Sequence, residues 1–99
     1  MTNLTLRQLR YFDALARERH FGRAAEACAI SQPALSMQVR EMEEALGLPL
    51  FERGARPVRL TPFGEALAPR ARDILRALDE VGDLARALRS GGIGRLRLG

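Results

Sequence analysis

Two groups of side chains stand out by type and spacing. The first is the segment 31–37, which contains no charged residue. Gln32 can form two hydrogen bonds with adenine, and Ser36, one helical turn later, lies on the same helix face within reach of a base or a phosphate. Pro33 and Ala34 are small apolar groups suited to a thymine methyl group. We interpret the segment as a base-contacting surface; the alternative is a set of ordinary solvent-exposed positions.

The second group is a series of arginines around a turn. Arg53, Arg56 and Arg59 follow at intervals of three, with no acidic residue between them, and the turn also contains Gly54 and Pro57. An arginine at a loop tip fits a narrow DNA minor groove, where the negative potential is strongest over A·T runs. We expect Arg56 to enter that groove, and Arg53 and Arg59 to contact phosphates. The alternative is a solvated charged turn.

Two further arginines lie in predicted helices beside these groups. Arg23 begins a helix and is expected to contact a backbone phosphate, with a solvated position as the alternative. Arg40 is expected to reach a phosphate or to pair with the acidic residues that follow it. Acidic side chains at the far end of that helix would repel DNA, so we expect its uncharged end to face the nucleic acid. These acidic residues are Glu41, Glu43 and Glu44.

No residue pattern supports catalysis. His20 is the single histidine, without partners at the spacing of metal ligands or of a general base. Cys28 stands among alanines, which favours a buried structural thiol over a reactive one. There is also no phosphate-binding glycine loop, nucleophile elbow or obvious carboxylate pair. We therefore expect a protein that is not an enzyme and that holds no metal and no cofactor.

Composition agrees with a nucleic-acid partner. The 99 residues carry a net charge of +4, and all 16 basic residues are arginines. Arginine suits bidentate contacts with phosphate and guanine, although a GC-rich genome would also favour it over lysine. The sequence has no run of 18 apolar residues and no signal peptide, and its one cysteine suits a reducing compartment. We expect a cytoplasmic location and no membrane association.

Local signals place the uncharged segment at the start of a third helix. Thr5 and Gln8 form a capping box before apolar residues at helical spacing. Pro33 sits in the first turn of the third helix, where its missing N–H costs nothing. The predicted elements are a helix over about 6–18, a helix over 22–28, a turn at 29–30 and a helix that begins after Ser31 and ends at Gly47. Two helices separated by so short a turn form a helix-turn-helix pattern.

A basic hairpin is expected next. Leu50-Phe51 and Val58-Arg59-Leu60 are each predicted to form a short strand, on either side of the loop 53–57. Helix, turn, helix and basic hairpin in this order predict a winged helix-turn-helix. The predicted fold class is therefore mainly α, with a long helix after the wing.

That long helix begins after Thr61-Pro62 and runs to about Arg89, roughly 40 Å at helical rise. Its heptad pattern of apolar residues requires a partner helix and predicts a homodimer. The residues of this predicted seam are Leu67, Ala71, Ile74, Leu78, Val81, Ala85 and Leu88. The alternative is a helix that lies along the core of its own domain. Pro69 is expected to kink the helix or to loosen its first two turns.

The chain is accordingly divided into three parts. Residues 1–61 are the predicted DNA-binding domain, 62–89 the dimerisation helix, and 90–99 a hinge with the start of a further domain. Residues 93–99 alternate apolar and polar, as a strand does, and then stop. This pattern predicts that the natural protein continues into a second domain.

Five blocks of the sequence together resemble the LysR-type transcriptional regulators. The blocks are 21–25 (FGRAA), 31–36 (SQPALS), 43–47 (EEALG), 50–53 (LFER) and 60–64 (LTPFG). The resemblance implies a winged helix-turn-helix, a linker helix that dimerises in antiparallel pairs, and a hinge to a two-lobed effector domain. It implies binding of double-stranded DNA, with tetramers formed by the full-length proteins. The family's DNA-contacting positions match Gln32, Pro33, Ser36 and Arg56.

One position departs from the family pattern. Met37 stands where the family commonly has arginine, so Met37 faces DNA without the usual charge and operator preference does not transfer directly. Residues 19–28 are more similar to the hydrogen-peroxide-sensing, OxyR-type members. That similarity implies an activator of an oxidative-stress response in which two cysteines of the regulator are oxidised by peroxide to a disulfide. These cysteines would lie beyond Gly99, which excludes Cys28. The alternatives are a LysR-type regulator that responds to a small metabolite, and a dimerisation module with only non-specific DNA affinity.

Overall fold

The computed structural model describes residues 3–90, which form four helices connected by short turns and one long loop. The helices are α1 (Leu6–Glu18), α2 (Phe21–Cys28), α3 (Gln32–Leu46) and α4 (Pro62–Arg89). The predicted mainly α fold class is confirmed, and α2 begins one residue earlier than expected. The hinge and strand predicted within 91–99 lie outside the described residues. None of the described helices is long and apolar enough to cross a membrane.

Each helix begins at a side chain that accepts a hydrogen bond from a backbone N–H of its first turn, which no other helix residue can satisfy. The predicted caps Thr5, Ser31 and Thr61 all do so. His20 caps α2, because its Nδ1 accepts from the N–H of Arg23 at 3.1 Å. The sequence therefore fixes where each helix starts through four local side-chain contacts.

The first three helices end in left-handed residues, which allows tight turns. Arg19 and Ala29 have φ angles of 57° and 58°, and Gly47 has 79°. In the α2–α3 turn, the N–H of Ile30 donates to the carbonyl of Ala25 at 3.0 Å. This turn holds α3 against α2 in a helix-turn-helix arrangement.

Two apolar clusters form the core around α1. The first joins α1, α3 and α4, and its buried residues are Leu9, Phe12, Met42, Leu50, Ala68, Ala71 and Leu75. The second joins α1, α2 and α3 with the loop, and its buried residues are Ala14, Leu15, Ala24, Ala25, Leu35, Val39 and Val58. Phe51 packs against both clusters, and its ring centre lies 5.5 Å from that of Phe12. The loop residue Phe51 thus links the two halves of the core.

The loop 49–60, which we call the wing, contains less strand than predicted. In place of two strands, Phe51 and Leu60 form a single antiparallel bridge. The two-strand prediction was wrong because the backbone donors of these segments are used elsewhere: the N–H groups of Leu50 and Phe51 donate to the carboxylate of Glu43, and that of Val58 donates to the carbonyl of Arg19. The wing is consequently a loop held at its base by a few hydrogen bonds.

The first half of α4 belongs to the same core as α1–α3 and the wing, and we call this whole unit, residues 3–75, the head. Ala68 and Leu75 are buried in the first cluster. Gly64 approaches the wing so closely that a Cβ atom there would stand 2.2 Å from the carbonyl oxygen of Leu50. Only glycine permits this contact between α4 and the wing.

Two members of the predicted dimerisation seam also pack inside the head. Ala71 is completely buried, and Leu67 is half-buried against the first cluster. Ala71 precedes Leu75 by four residues, so both lie on the inward face of α4. Ala71 is therefore a core residue of its own domain, as the alternative interpretation expected for the whole helix. The helix continues through Pro69 without a break.

Candidate nucleic-acid interface

A groove of about 980 Å³ runs between α3 and the wing, with the start of α2 at one end. The arginines that line it are Arg19, Arg23, Arg40, Arg53 and Arg56. Two carboxylates, those of Glu43 and Glu52, also reach the groove, and both are engaged by other groups as described below. A concave surface with this excess of positive charge attracts a polyanion.

The buried residues of α3 define which side of that helix faces outward. They are Leu35, Val39 and Met42. At about 100° per residue, Pro33 and Met37 lie nearly opposite to them. Gln32, Ser36 and Arg40 follow one another at intervals of four along the edge of the groove. The N-terminal half of α3 thus has an outermost apolar side and a polar side that borders the groove.

The predicted base-contacting residues occupy this N-terminal half. Gln32, Pro33 and Met37 are exposed, whereas Ser36 and Ala34 are half-buried. Gln32, Pro33 and Ser36 surround one small depression on the surface. Ala34 and Met37 lie outside both this depression and the groove. The structure therefore brings three of the five together and leaves Met37 on the outermost side.

Three of the predicted DNA-contacting arginines carry charges that no carboxylate neutralises. Among residues 3–90, Arg40, Arg53 and Arg56 form no ion pair. All three are exposed and line the groove. The predicted pairing of Arg40 with the acidic end of α3 is thus not seen. Among the predicted DNA-contacting arginines, these three are the most available to phosphate.

Two other predicted arginines are paired. Arg23 lies 3.5 Å from Glu18, and Arg59 lies 3.2 Å from Glu52. All four side chains are more than a third exposed. Exposed ion pairs of this kind contribute about 1 kcal/mol or less, so a phosphate can displace the carboxylate. Arg23 and Arg59 are accordingly weaker candidates than the unpaired arginines.

Glu43 has a role that the sequence did not indicate. Its Oε2 accepts hydrogen bonds from the backbone N–H groups of Leu50 at 2.7 Å and Phe51 at 3.3 Å. Glu43 was grouped with the acidic residues expected to repel DNA, but its carboxylate instead ties α3 to the first residues of the wing. No local sequence signal marks this contact, because it joins residues on two different elements.

Three further hydrogen bonds fix the base of the wing. The N–H of Val58 donates to the carbonyl of Arg19 at 3.1 Å, which ties the wing to the α1–α2 turn. Thr61 donates its N–H to the carbonyl of Leu50 at 3.0 Å and its hydroxyl to that of Pro49 at 2.7 Å. The wing is therefore held against three elements, which sets its position relative to α3.

Arg19 is a groove residue that sequence reasoning missed. It lies in the α1–α2 turn, is exposed, and forms no ion pair within residues 3–90. Its backbone holds Val58 of the wing while its side chain lines the groove. The sequence feature that could have indicated this role was the position of Arg19 immediately before the cap His20, in the short turn between α1 and α2.

His20 and Cys28, the two residues examined for a catalytic or reactive role, both have surroundings that indicate a structural role. His20 serves as a helix cap, and a Cβ atom on Gly22 would stand 2.9 Å from its Cε1. Burial raises the pKa of the Cys28 thiol above its usual value, opposed by the charge of Arg17 and reinforced by that of Asp13. A raised pKa leaves little thiolate at neutral pH. Within residues 3–90, no cluster of three or more histidine, cysteine or acidic side chains is arranged to hold a metal ion.

Most of the predicted seam is exposed, at Ile74 and along the second half of α4 (residues 76–89). Ile74, Val81 and Leu88 are 43%, 64% and 41% exposed, and Ala85 is also exposed. Leu78 is half-buried. A single helix that presents large apolar side chains at heptad spacing leaves them in water unless a second helix covers them.

Comparison with known proteins identifies the family. Residues 6–65 match the family described as bacterial regulatory helix-turn-helix protein, lysR family. The chain is 50% identical over 96 residues to the HTH-type transcriptional regulator BudR of Klebsiella aerogenes, an alignment that covers 97% of this chain and 67% of BudR.

Two solved structures are similar in both sequence and fold. Full-length OxyR C199D from Pseudomonas aeruginosa is 47% identical with a TM-score of 0.82, over 86% of this chain and 29% of that one. A complex of the BenM DBD with catB site 1 DNA is 41% identical with a TM-score of 0.83, over 89% of this chain and 99% of that one. The chain thus spans less than a third of the full-length OxyR chain. The resemblance that the sequence blocks indicated is confirmed: the chain belongs to the lysR family of bacterial regulatory helix-turn-helix proteins.

Proposed function

We propose that this chain binds double-stranded DNA sequence-specifically, as a homodimer, within a regulator of transcription. The N-terminal half of α3 enters the major groove, and the wing reaches the neighbouring minor groove. The observation that carries this proposal is the groove between them, which is lined by the unpaired guanidinium groups of Arg40, Arg53 and Arg56. The sugar–phosphate strand that separates a major from a minor groove would lie in it.

The charge distribution on α3 sets the direction of entry. The first eight residues, 32–39, carry no charge, and the acidic residues Glu41 and Glu44 are exposed near the other end. The major groove is about 12 Å wide and admits one helix. Because the N-terminus carries the positive end of the helix dipole, that end approaches phosphates favourably. Gln32 is placed to bind adenine, and Ser36 to bind a base or a phosphate.

Some of the arginines bind phosphates and position the protein, and one reads the shape of the minor groove. Arg40 and Arg53 bind phosphates on either side of the groove, and Arg19 adds a third contact from the α1–α2 turn. Arg56 inserts into the minor groove, where A·T runs strengthen the attraction. Arg23 also reaches the groove, but a phosphate must first displace its carboxylate partner.

Dimerisation follows from the exposed apolar residues at Ile74 and in the second half of α4. One head offers one short helix to the major groove, whereas specific sites usually need the larger surface of two modules. Pairing of two α4 helices through Ile74, Leu78, Val81, Ala85 and Leu88 covers their exposed apolar side chains. Assembly of dimers into tetramers within a longer protein stays a prediction. The chain's relatives are transcriptional regulators, and we propose no enzymatic activity for it.

The chemical signal to which a longer regulator responds is either peroxide or a small metabolite. BudR matches at 50% identity and an OxyR chain at 47%, so these likenesses do not separate the peroxide-sensing branch from other branches. The oxidative-stress role and the metabolite-response alternative both stay predictions. The partly buried Cys28, with its raised pKa, fits neither sensing cysteine.

The proposal is tested by incubating the 99-residue chain with a pool of random duplexes and sequencing the bound fraction. We expect enrichment of an inverted repeat with A·T-rich flanks, because two symmetric heads read two half-sites and their wings prefer narrow minor grooves. A bound fraction with no enriched sequence would contradict specific reading and support the dimerisation module with only non-specific affinity.

A matched pair of variants tests the wing. Arg56→Ala should weaken binding of the selected duplex by about tenfold at moderate salt, one good contact per head. Arg59→Ala should have a smaller effect, because Glu52 already neutralises Arg59. If a dimer neutralises about 6–10 phosphates, affinity should also fall by about 10³–10⁵ between 50 and 200 mM salt. A flat salt response, or full affinity in Arg56→Ala, would argue against the phosphate and minor-groove roles.

A further inference from the structure

We propose that Met37 reads the C5-methyl group of a thymine in the major groove and thereby sets one base of the operator half-site. This inference rests on the proposed function, and it adds a base identity to it. Met37 is 52% exposed and lies on the outermost side of α3. The occupant of this apolar surface is a thymine methyl group of duplex DNA.

The position of Met37 on α3 is the first argument. Leu35, Val39 and Met42 face the core, and Met37 lies about 160° from Leu35 and Val39 around the helix axis. When a helix enters a groove, the side that packs on the protein core faces away from the DNA, and the opposite side faces the base edges. Met37 and Pro33, one turn earlier, are therefore the side chains that reach deepest toward the base edges.

The chemistry of this leading side is the second argument. Single exposed apolar residues are ordinary on protein surfaces and need no partner. Here, however, Met37 and Pro33 form an apolar strip along the same helix face, within the uncharged segment 32–39. Guanine is usually read by arginine or lysine, and adenine by asparagine or glutamine. Neither residue of this strip can form those bonds.

The remaining major-groove feature that suits an apolar side chain is the thymine methyl group. A thioether sulfur is only a weak hydrogen-bond acceptor, so the exocyclic amino groups of adenine and cytosine gain little from it. Methionine has an unbranched, flexible side chain that adapts its shape to an apolar neighbour. Burying one methyl group against it should strengthen binding by about fourfold.

The spacing from Gln32 relates this contact to the adenine contact. Met37 follows Gln32 by five residues, which is about 7.5 Å along the axis of α3. We therefore expect the thymine read by Met37 and the adenine read by Gln32 to lie in the same half-site.

The test uses the duplex selected from the random pool, with each thymine replaced in turn by deoxyuridine, which removes only the methyl group. With the unaltered chain, one position per half-site should lose about fourfold in affinity for each replacement. Met37→Ala should bind the thymine duplex about fourfold more weakly and should lose its sensitivity at that position. Gln32→Ala is the matched control: it should bind more weakly and yet keep the sensitivity to deoxyuridine.

A second variant keeps the inference testable if several thymines respond. Met37→Arg, which retains an exposed side chain of similar length, should change the selected base at that one position from thymine to guanine. Sensitivity to deoxyuridine that persists in Met37→Ala would overturn the inference while leaving the proposed function in place. Failure of the unaltered chain to select any sequence would instead overturn the proposed function.

Discussion

The head and the second half of α4 are built in different ways. In the head, two apolar clusters and the bonds around the wing connect residues far apart in the sequence. In residues 76–89, side chains are exposed except at Leu78 and Gly82, which are half-buried. The head therefore has its own core, whereas the second half of α4 has apolar residues that nothing within residues 3–90 covers.

This difference shows which part of the molecule needs a partner to complete it. Helices gain most of their stability from packing an apolar face, and an isolated helix of fourteen residues is marginal in water. Residues 76–89 continue a helix whose first half is already formed and packed in the head, so they can be helical before a partner binds. The head positions the DNA-contacting groups, and the exposed seam brings two heads together.

The largest effect should come from charging the exposed seam. Ile74→Asp together with Val81→Asp would bury two carboxylates between paired helices, which costs several kcal/mol. We expect the dimer dissociation constant to rise about a thousandfold or more, equivalent to about 4 kcal/mol. Sedimentation or light scattering should then show monomers, and DNA affinity should fall with the dimer.

The control for this prediction is Ala87→Asp. Ala87 is exposed in the second half of α4 and lies about 140° round the helix axis from Ile74. It should leave the dimer intact. A dimer that survives the double substitution would mean that the chain pairs through another surface, and the contrast between the two regions would lose its functional meaning.

The next largest effect compares the same substitution at two glycines of α4. Gly64→Ala places a Cβ atom 2.2 Å from the carbonyl oxygen of Leu50, and a backbone atom cannot move aside cheaply. We expect the head to lose about 3 kcal/mol of stability. Gly82→Ala meets no atom closer than the guanidinium of Arg86 at 3.8 Å, and alanine favours helix over glycine by about 1 kcal/mol.

Urea unfolding at one fixed protein concentration measures both glycine variants. Opposite signs of the change in unfolding free energy would confirm that α4 is constrained inside the head and unconstrained beyond it. Equal destabilisation at Gly82 would indicate that its surroundings are as tight as those of Gly64, which is the opposite of what the structure shows for this chain alone.

The same contrast explains what the sequence could predict. Helix starts and ends depend on neighbours in the chain, and the caps Ser31 and Thr61 and the terminator Gly47 were all recognisable. The uncharged start of α3 and the arginines of the wing were visible as composition alone. Local rules thus sufficed for the mainly α fold and for most of the candidate site.

The errors concern contacts between elements. The wing's bonds join Glu43 to Leu50 and Arg19 to Val58, and no spacing rule connects these pairs. The assignment of Ala71 failed for a geometrical reason: a seven-residue repeat and a 3.6-residue helix diverge by only about 20° per heptad, so seam and core faces look alike in sequence. Only the packed structure separates them.

An intermediate effect is expected at the bond between α3 and the wing. Glu43→Ala leaves the N–H groups of Leu50 and Phe51 without their carboxylate, and hydrogen bonds to charged groups contribute about 1.5–3 kcal/mol. We expect the head to lose about 2 kcal/mol of stability. Glu44→Ala, at the exposed neighbouring position, should change stability by less than about 0.5 kcal/mol.

DNA binding separates a general loss of stability from a loosened wing. At temperatures where Glu43→Ala is still folded, its affinity should fall and the added cost of Arg56→Ala should shrink, because a wing without its anchor no longer holds Arg56 in place. Full additivity of the two substitutions would indicate that Glu43 does not position the wing.

The smallest effect concerns the point where the two regions meet. Arg10 of α1 and Asp79 of α4 form an ion pair at 3.3 Å, and among residues 3–90 it is the one ion pair that joins α1–α3 or the wing to residues 76–89 of α4. Their side chains are 49% and 66% exposed, so solvent screens the attraction. A double-mutant cycle with Arg10→Ala and Asp79→Ala should give a coupling of about 0.5 kcal/mol or less, measured by urea unfolding. A coupling above about 2 kcal/mol would mean that this ion pair holds α4 against α1 more firmly than its exposure allows. A weak coupling would leave the direction of α4 to the continuity of the helix and to the packing of Ala68, Ala71 and Leu75 in the head.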